Sequence, residues 1–286
     1  MHPPLSRAAC NLLLAPSLIL LLVLLLALPQ RVEAAGTGDL LAVGQLRLQS
    51  QRLAKLYLQS GLQIQADSAQ AQLHKAVQQF EGALGELAPY ARQSRTAASL
   101  ARTQALWAEL RQAIKTPYGA PAAQRVLALS DDLMLASGKL SLLIEEQGEG
   151  GMGRLLDLSL RQGMLAQRLA RLYLMGVAGD RSHGRQVDVE QARREFNTAL
   201  EELAAARDNP PAVRGALELA RTQWLFFDQA LVGGGSGAGS DRQSQARNVT
   251  TTSERIAEVL ADVSRQYSLA YGTTQVAAAP GAARRN

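Results

Sequence analysis

The chain has 286 residues, a net charge of +5 and 4% aromatic side chains. Such a length suits two domains of ordinary size, each with its own core. A composition rich in Ala, Leu, Gln and Arg favours long helices over sheets, because strands draw on β-branched and aromatic residues. The charge is spread along the chain, without the dense basic tract of a nucleic-acid binder. Cys10 is the only cysteine and lies in the N-terminal leader, so the mature chain is expected to have neither an internal disulfide nor a thiolate nucleophile.

Residues 1–35 read as an export signal, or as an N-terminal anchor if they are not removed. Arg7 supplies a positive start, Asn11 to Leu28 a leucine-rich apolar run, and Val32-Glu33-Ala34 small residues at cleavage positions. A periplasmic location follows. Beyond the leader, helical periodicity predicts eight stretches: 38–65, 69–87, 91–114 and 121–147, then 152–177, 186–207, 210–231 and 241–267. Pro89, Pro117, Pro121, Pro210 and Pro211 punctuate them, where proline starts or stops helices. Ser130-Asp131-Asp132 and Thr252-Ser253-Glu254 read as hydroxyl and acidic residues near helix starts or early in helices. Gly233 to Ser240 reads as a flexible loop and 273–286 as a disordered tail.

The eight stretches are one module written twice. Gln51-Arg52-Leu53-Ala54-Lys55-Leu56-Tyr57-Leu58 recurs as Gln167-Arg168-Leu169-Ala170-Arg171-Leu172-Tyr173-Leu174. Leu100-Ala101-Arg102-Thr103-Gln104 recurs as Leu219-Ala220-Arg221-Thr222-Gln223. A repeat of this kind fixes the architecture. Amphipathic helices with short connections form antiparallel bundles. The expected fold is therefore all-α: two tandem antiparallel four-helix bundles, over 36–148 and 149–272, after the signal segment.

Catalytic and cofactor signals are weak. Gly148 to Gly153 matches G-x-G-x-x-G, but a helix rather than a strand precedes it, so it reads as an inter-domain turn. Gly233 to Ser240 lacks the Gly-Lys-Ser/Thr ending of a phosphate loop. His74 and His183 have no partner at zinc-ligand spacing that repeats in the other module, and read as surface residues. Trp107, Trp224, Phe226 and Phe227 read as core anchors. Glu145, Glu146, Glu201 and Glu202 read as solvated helix faces. The expectation is a non-enzyme with no cofactor, no metal and no nucleic-acid partner.

The first helix carries the remaining candidate. At 100° per residue, Ala42, Leu46, Gln49, Leu53, Leu56 and Tyr57 share one mostly apolar side. Gly44, Arg47, Gln51 and Lys55 form a narrow stripe on the opposite side. That stripe faces solvent, a ligand or another bundle. A guanidinium there suits a planar anion, because its fork donates two parallel hydrogen bonds. Arg52 is turned away from Arg47.

The segment Gly44-x-Leu46-Arg47-x-Gln49-Ser50-x-Arg52-Leu53 resembles the signature of the periplasmic domain of NarX/NarQ-type nitrate and nitrite sensor kinases. The run Ser50 to Leu58 is similar to the N-terminal domain of PilJ-type methyl-accepting chemotaxis transducers. The likeness covers nearly the whole mature chain, as two copies. The resemblance implies that Arg47 binds a small oxyanion at a helix–helix interface, with Gly44, Gln51 and Arg52 around it. Lys55, Gln167 and Arg168 are weaker candidates. At the place of Arg47 the second copy has Gly163, at that of Gly44 it has Leu160, and Arg161 lies on a different face. Two geometries follow. Either the second module serves as internal pseudo-partner, with Arg47 facing Gly163, or two chains pair their first modules as a homodimer.

The resemblance thus implies a periplasmic sensor module for nitrate, nitrite or a similar oxyanion, without an output region. The alternative is a helical adaptor that packs on a membrane chemoreceptor or sensor kinase of the same kind, with no small molecule.

Overall fold

The computed structural model describes residues 36–147, 152–232 and 239–278. The leader with Cys10, the glycine motif up to residue 151, the loop 233–238 and the tail from 279 lie outside the described residues. Every regular element among the described residues is helical. The first half contains α1 (Thr37–Gly61), α2 (Ala66–Glu86), a short 3-10 turn (Ala88–Arg92), α3 (Ala97–Ala113) and α4 (Ala120–Glu145). The second contains α5 (Met152–Val177), α6 (His183–Ala205), α7 (Pro211–Val232) and α8 (Gly239–Ala278). None of them is long and apolar enough to cross a membrane.

Each half follows one packing plan. The first helix lies between the second and the fourth, and the third packs on the fourth. Stacked aromatic pairs close the ring between second and third helices. Phe80 and Trp107 stack at 4.2 Å in the first half, and Phe196 and Trp224 at 4.0 Å in the second. These pairs are equivalent in packing and bury a large apolar area at low conformational cost. The match of Leu100–Gln104 to Leu219–Gln223 is two residues out of phase with that packing, since Leu100 is buried and Leu219 is exposed. Phe227 is fully buried beside Trp224. Phe226, expected in the core, is 59% exposed, because it is one residue out of phase with the buried stripe of α7.

The two halves are not separate domains. Residues from Ala35 onward form one compact unit, and one hydrophobic cluster runs through both halves. Its centre is the contact between α1 and α5, as extensive as any in the protein. Close approach there depends on glycine. A Cβ on Gly44 would lie 2.8 Å from the Leu160 methyls, and one on Gly163 would lie 2.9 Å from Leu48 Cδ1. Leu160 thus covers Gly44, and Leu48 covers Gly163, in the same direction along both helices.

Two boundaries differ from the sequence reading. Helix α8 continues to Ala278, so the start of the expected tail is helical; no proline occurs before Pro280 to stop it. Ser130-Asp131 and Ser253-Glu254 lie in the middle of α4 and α8 rather than near their starts. There a serine or carboxylate is retained for what it contacts across the interface, since mid-helix it offers no capping.

Leu53 and Leu169 are both fully buried. Truncating either to Ala is expected to cost about 2–5 kcal/mol of stability. Because both side chains belong to one cluster, each variant should lower the midpoint of a single urea transition. Two separate transitions, with only one moved, would mean that the halves fold independently.

Candidate functional site

The stripe of Gly44, Arg47, Gln51 and Lys55 faces the other half of the same chain. Gly44 lets α5 come close, and the longer side chains then enter a polar layer between α1, α4, α5 and α8. Lys55 is fully buried, and its ammonium pairs with Glu254 on α8. Its Nζ also donates to the Ser253 hydroxyl at 3.4 Å. The equivalent residue Arg171, also buried, reaches back across the interface to Asp131 on α4 at 3.0 Å. Each half therefore sends a cation from its first helix to an acid on the fourth helix of the other half. Two buried glutamines complete the layer. Gln51 donates to the Ser130 carbonyl at 3.2 Å, and the equivalent Gln167 to the Ser253 carbonyl at 3.0 Å.

Burial pulls the Lys55 ammonium below its ordinary value, and the Glu254 carboxylate opposes that shift. Burial would raise Glu254, but Lys55 and Arg52 more than offset it and hold the carboxyl below the usual 4.5. Arg52 meets the same carboxylate with two donors, Nε at 3.1 Å and Nη2 at 2.7 Å, and gives Nη1 to Gln79 at 3.0 Å. Its fork is thereby filled. Arg168, on the equivalent position, pairs with Asp188 on α6 at 3.2 Å. Arg161 pairs with Glu195 at 2.9 Å on an exposed face.

Arg47 has no counterpart in the second half. Its Nη2 pairs with Asp157 on α5, whose carboxylate also accepts from the Ser141 hydroxyl at 3.1 Å. Its Nε is buried without a partner. Glu145, expected on a solvated face, is half-buried close by; burial raises its pKa, and the charge of Asp157 raises it further. One cation thus faces two carboxyl groups. Gly163, expected opposite Arg47, is covered instead by Leu48.

The structure therefore gathers Gly44, Arg47, Gln51, Lys55 and Gln167 at one interface and holds Arg52 at its edge through Glu254. It places Arg168 elsewhere. Sequence reasoning gives Asp157 no role and reads Asp131 and Glu254 only as acids near helix starts or early in helices. Ser130-Asp131 and Ser253-Glu254 stand in equivalent helices, and that recurrence of hydroxyl followed by acid was a usable signal. Among the described residues no group of three or more His, Cys, Asp or Glu side chains could hold a metal ion.

Removing one partner of a buried pair strands the other charge, at a typical cost of 3–5 kcal/mol. Glu254→Gln is expected to destabilise by about that amount at pH 7. The folded-state pKa of Glu254 is depressed, so its contribution is present above the unfolded value near 4.5 and is lost as pH falls through the folded value. Urea unfolding at pH 7 and pH 3 should thus show the wild type losing its advantage over the variant. An equal difference at both pH values would contradict the assignment.

Residues 41–133 match a protein family described as type IV pili methyl-accepting chemotaxis transducer N-term. No curated protein and no solved structure matches the chain. The matched segment runs from α1 into the middle of α4, so it contains the whole Gly44–Lys55 stripe together with Ser130 and Asp131, and the first half of this chain is similar to the N-terminal region of those transducers.

Proposed function

We propose that the chain is a non-catalytic sensory module in chemotaxis-type signalling, which takes its input by binding and passes it on through helix packing. The observation that carries this reading is the interface between the halves. Each first helix, α1 or α5, sends a buried cation to the fourth helix of the other half, so the halves meet through buried ion pairs rather than an all-apolar seam. In low dielectric such groups make a small displacement costly, so an event on one helix biases the other. The match of residues 41–133 to a chemotaxis transducer region supports the same reading. Location in a periplasm, from the leader, belongs to the proposal, and fractionation of an expressing Gram-negative host tests it.

The small-oxyanion version gives nitrate or nitrite a place at Arg47, with Gly44, Gln51 and Arg52 nearby. The buried, unpartnered Nε of Arg47 favours it. An incoming oxyanion would exchange with the Asp157 carboxylate, itself a planar pair of oxygens. The adaptor version has the helices engage a membrane chemoreceptor or sensor kinase with no small molecule at Arg47. Asp157 favours it, because it already neutralises the guanidinium, and Glu145 adds a second acid. On charge alone the adaptor version is the better supported of the two.

Calorimetric titration with nitrate and nitrite separates them. If the oxyanion version holds, wild type binds, Arg47→Ala loses more than tenfold in affinity, Asp157→Asn gains affinity, and Arg161→Ala changes little. If neither wild type nor Asp157→Asn takes up an oxyanion at millimolar concentration, the Arg47 site is structural and the adaptor version stands.

A further inference from the structure

A cavity of about 830 Å³ opens at the end of the first half, where α1 ends, α2 begins and α3 runs into the connection to α4. Its size falls in the range of sites that enclose a small organic molecule. The stripe at Arg47 takes no part in it.

The cavity is built around an aromatic corner. The Tyr57 hydroxyl donates to the Thr116 carbonyl at 3.0 Å, which fixes the connection that carries Tyr118. The Tyr118 ring then lies directly on Gly61. A Cβ there would come within 2.1 Å of ring carbons, so only glycine allows this placement. The two rings sit 6.0 Å apart at 49°, and Tyr118 remains 38% exposed. Leu73, Val77 and Ile114 add aliphatic lining.

The turn that closes the near side is conformationally demanding. Gln63 and Gln65 both have positive φ, at 58° and 51°, which L side chains rarely adopt. Ile64 between them is 2% exposed and pins the turn inward. Strained backbone that the surroundings hold in place is common at ligand clamps.

The charged side chains that line the cavity are both cationic, Arg111 and Lys115, and no carboxylate lines it. Arg111 is paired with Glu81 at 3.0 Å, whereas Lys115 makes no ion pair among the described residues. The second half does not repeat the arrangement. Val177 stands where the first half has Gly61. Arg185 lies over Gly176 and donates to the Asp180 carbonyl at 3.0 Å, filling the corresponding helix end.

We propose that this cavity binds a small aromatic monocarboxylate, with its ring in the Tyr57–Tyr118 corner and its carboxylate on Lys115. The aromatic corner selects a flat apolar body, and the ammonium selects a single negative charge.

The test is calorimetric titration of the mature protein with 3-phenylpropionate, its neutral analogue 3-phenylpropanol, and acetate. The acid is expected to bind, the alcohol at least tenfold more weakly, and acetate not at all. Lys115→Gln, at an exposed position, should weaken the acid at least tenfold and leave the alcohol unchanged. Tyr118→Ala should weaken both. Excess nitrate should not displace 3-phenylpropionate, which separates this site from any at Arg47. Failure of 3-phenylpropionate to bind at millimolar concentration, equal affinity for acid and alcohol, or indifference to Lys115→Gln would each overturn the proposal.

Discussion

The structure depends on a crossed exchange of buried charge between its halves. Lys55 and Arg171 are equivalent residues, and each forms its ion pair with an acid from the other half, Glu254 or Asp131. A buried ammonium or guanidinium without its partner is far costlier than an unfilled apolar contact. Neither half can therefore place its own first helix alone at low cost. Glycine makes the exchange reachable, because Gly44 and Gly163 bring the backbones close enough for side chains of this length to span the gap. Burial of charge also sets register. A shift of one half along the other would part both pairs together, whereas an apolar seam would tolerate it.

Positions inside the exchange keep their chemistry: Gln51 with Gln167, Lys55 with Arg171, Ser130-Asp131 with Ser253-Glu254. The stacked aromatic pairs are kept as well, but some positions on the first helices are not. Arg47 corresponds to Gly163, which Leu48 covers, and Arg47 meets Asp157 instead. At the far end of the first helix, Gly61 and Tyr118 shape a cavity in one half, while Arg185 fills the other. The halves share a packing plan and differ in what surrounds it.

Much of this was legible in the chain before folding. Helical periodicity and proline punctuation located the elements, and the repeat identified α1 and α5 as counterparts. The stripe on α1 was visible as polar residues at helical spacing. Its destination was not, because spacing on one helix carries no information about which surface lies opposite. For the same reason Asp157 and Glu145 were invisible as neighbours of Arg47, although they decide its charge balance. Ser130-Asp131 and Ser253-Glu254 carry residue types that commonly stand near helix starts. Only their shared place in the fourth helices distinguishes them. Phe226 has a core residue type, but one residue of phase from Phe227 leaves it exposed.

The account rests on α1 and α5 of one chain lying face to face, with Leu48 over Gly163. Oxidation of the mature protein carrying Leu48→Cys and Gly163→Cys tests this most directly, since disulfide formation requires Cα atoms within about 7 Å. The expected product is a monomer with an internal cross-link, formed at low protein concentration and showing raised resistance to unfolding. Disulfide-linked dimers, or thiols that stay free under oxidation, would contradict it.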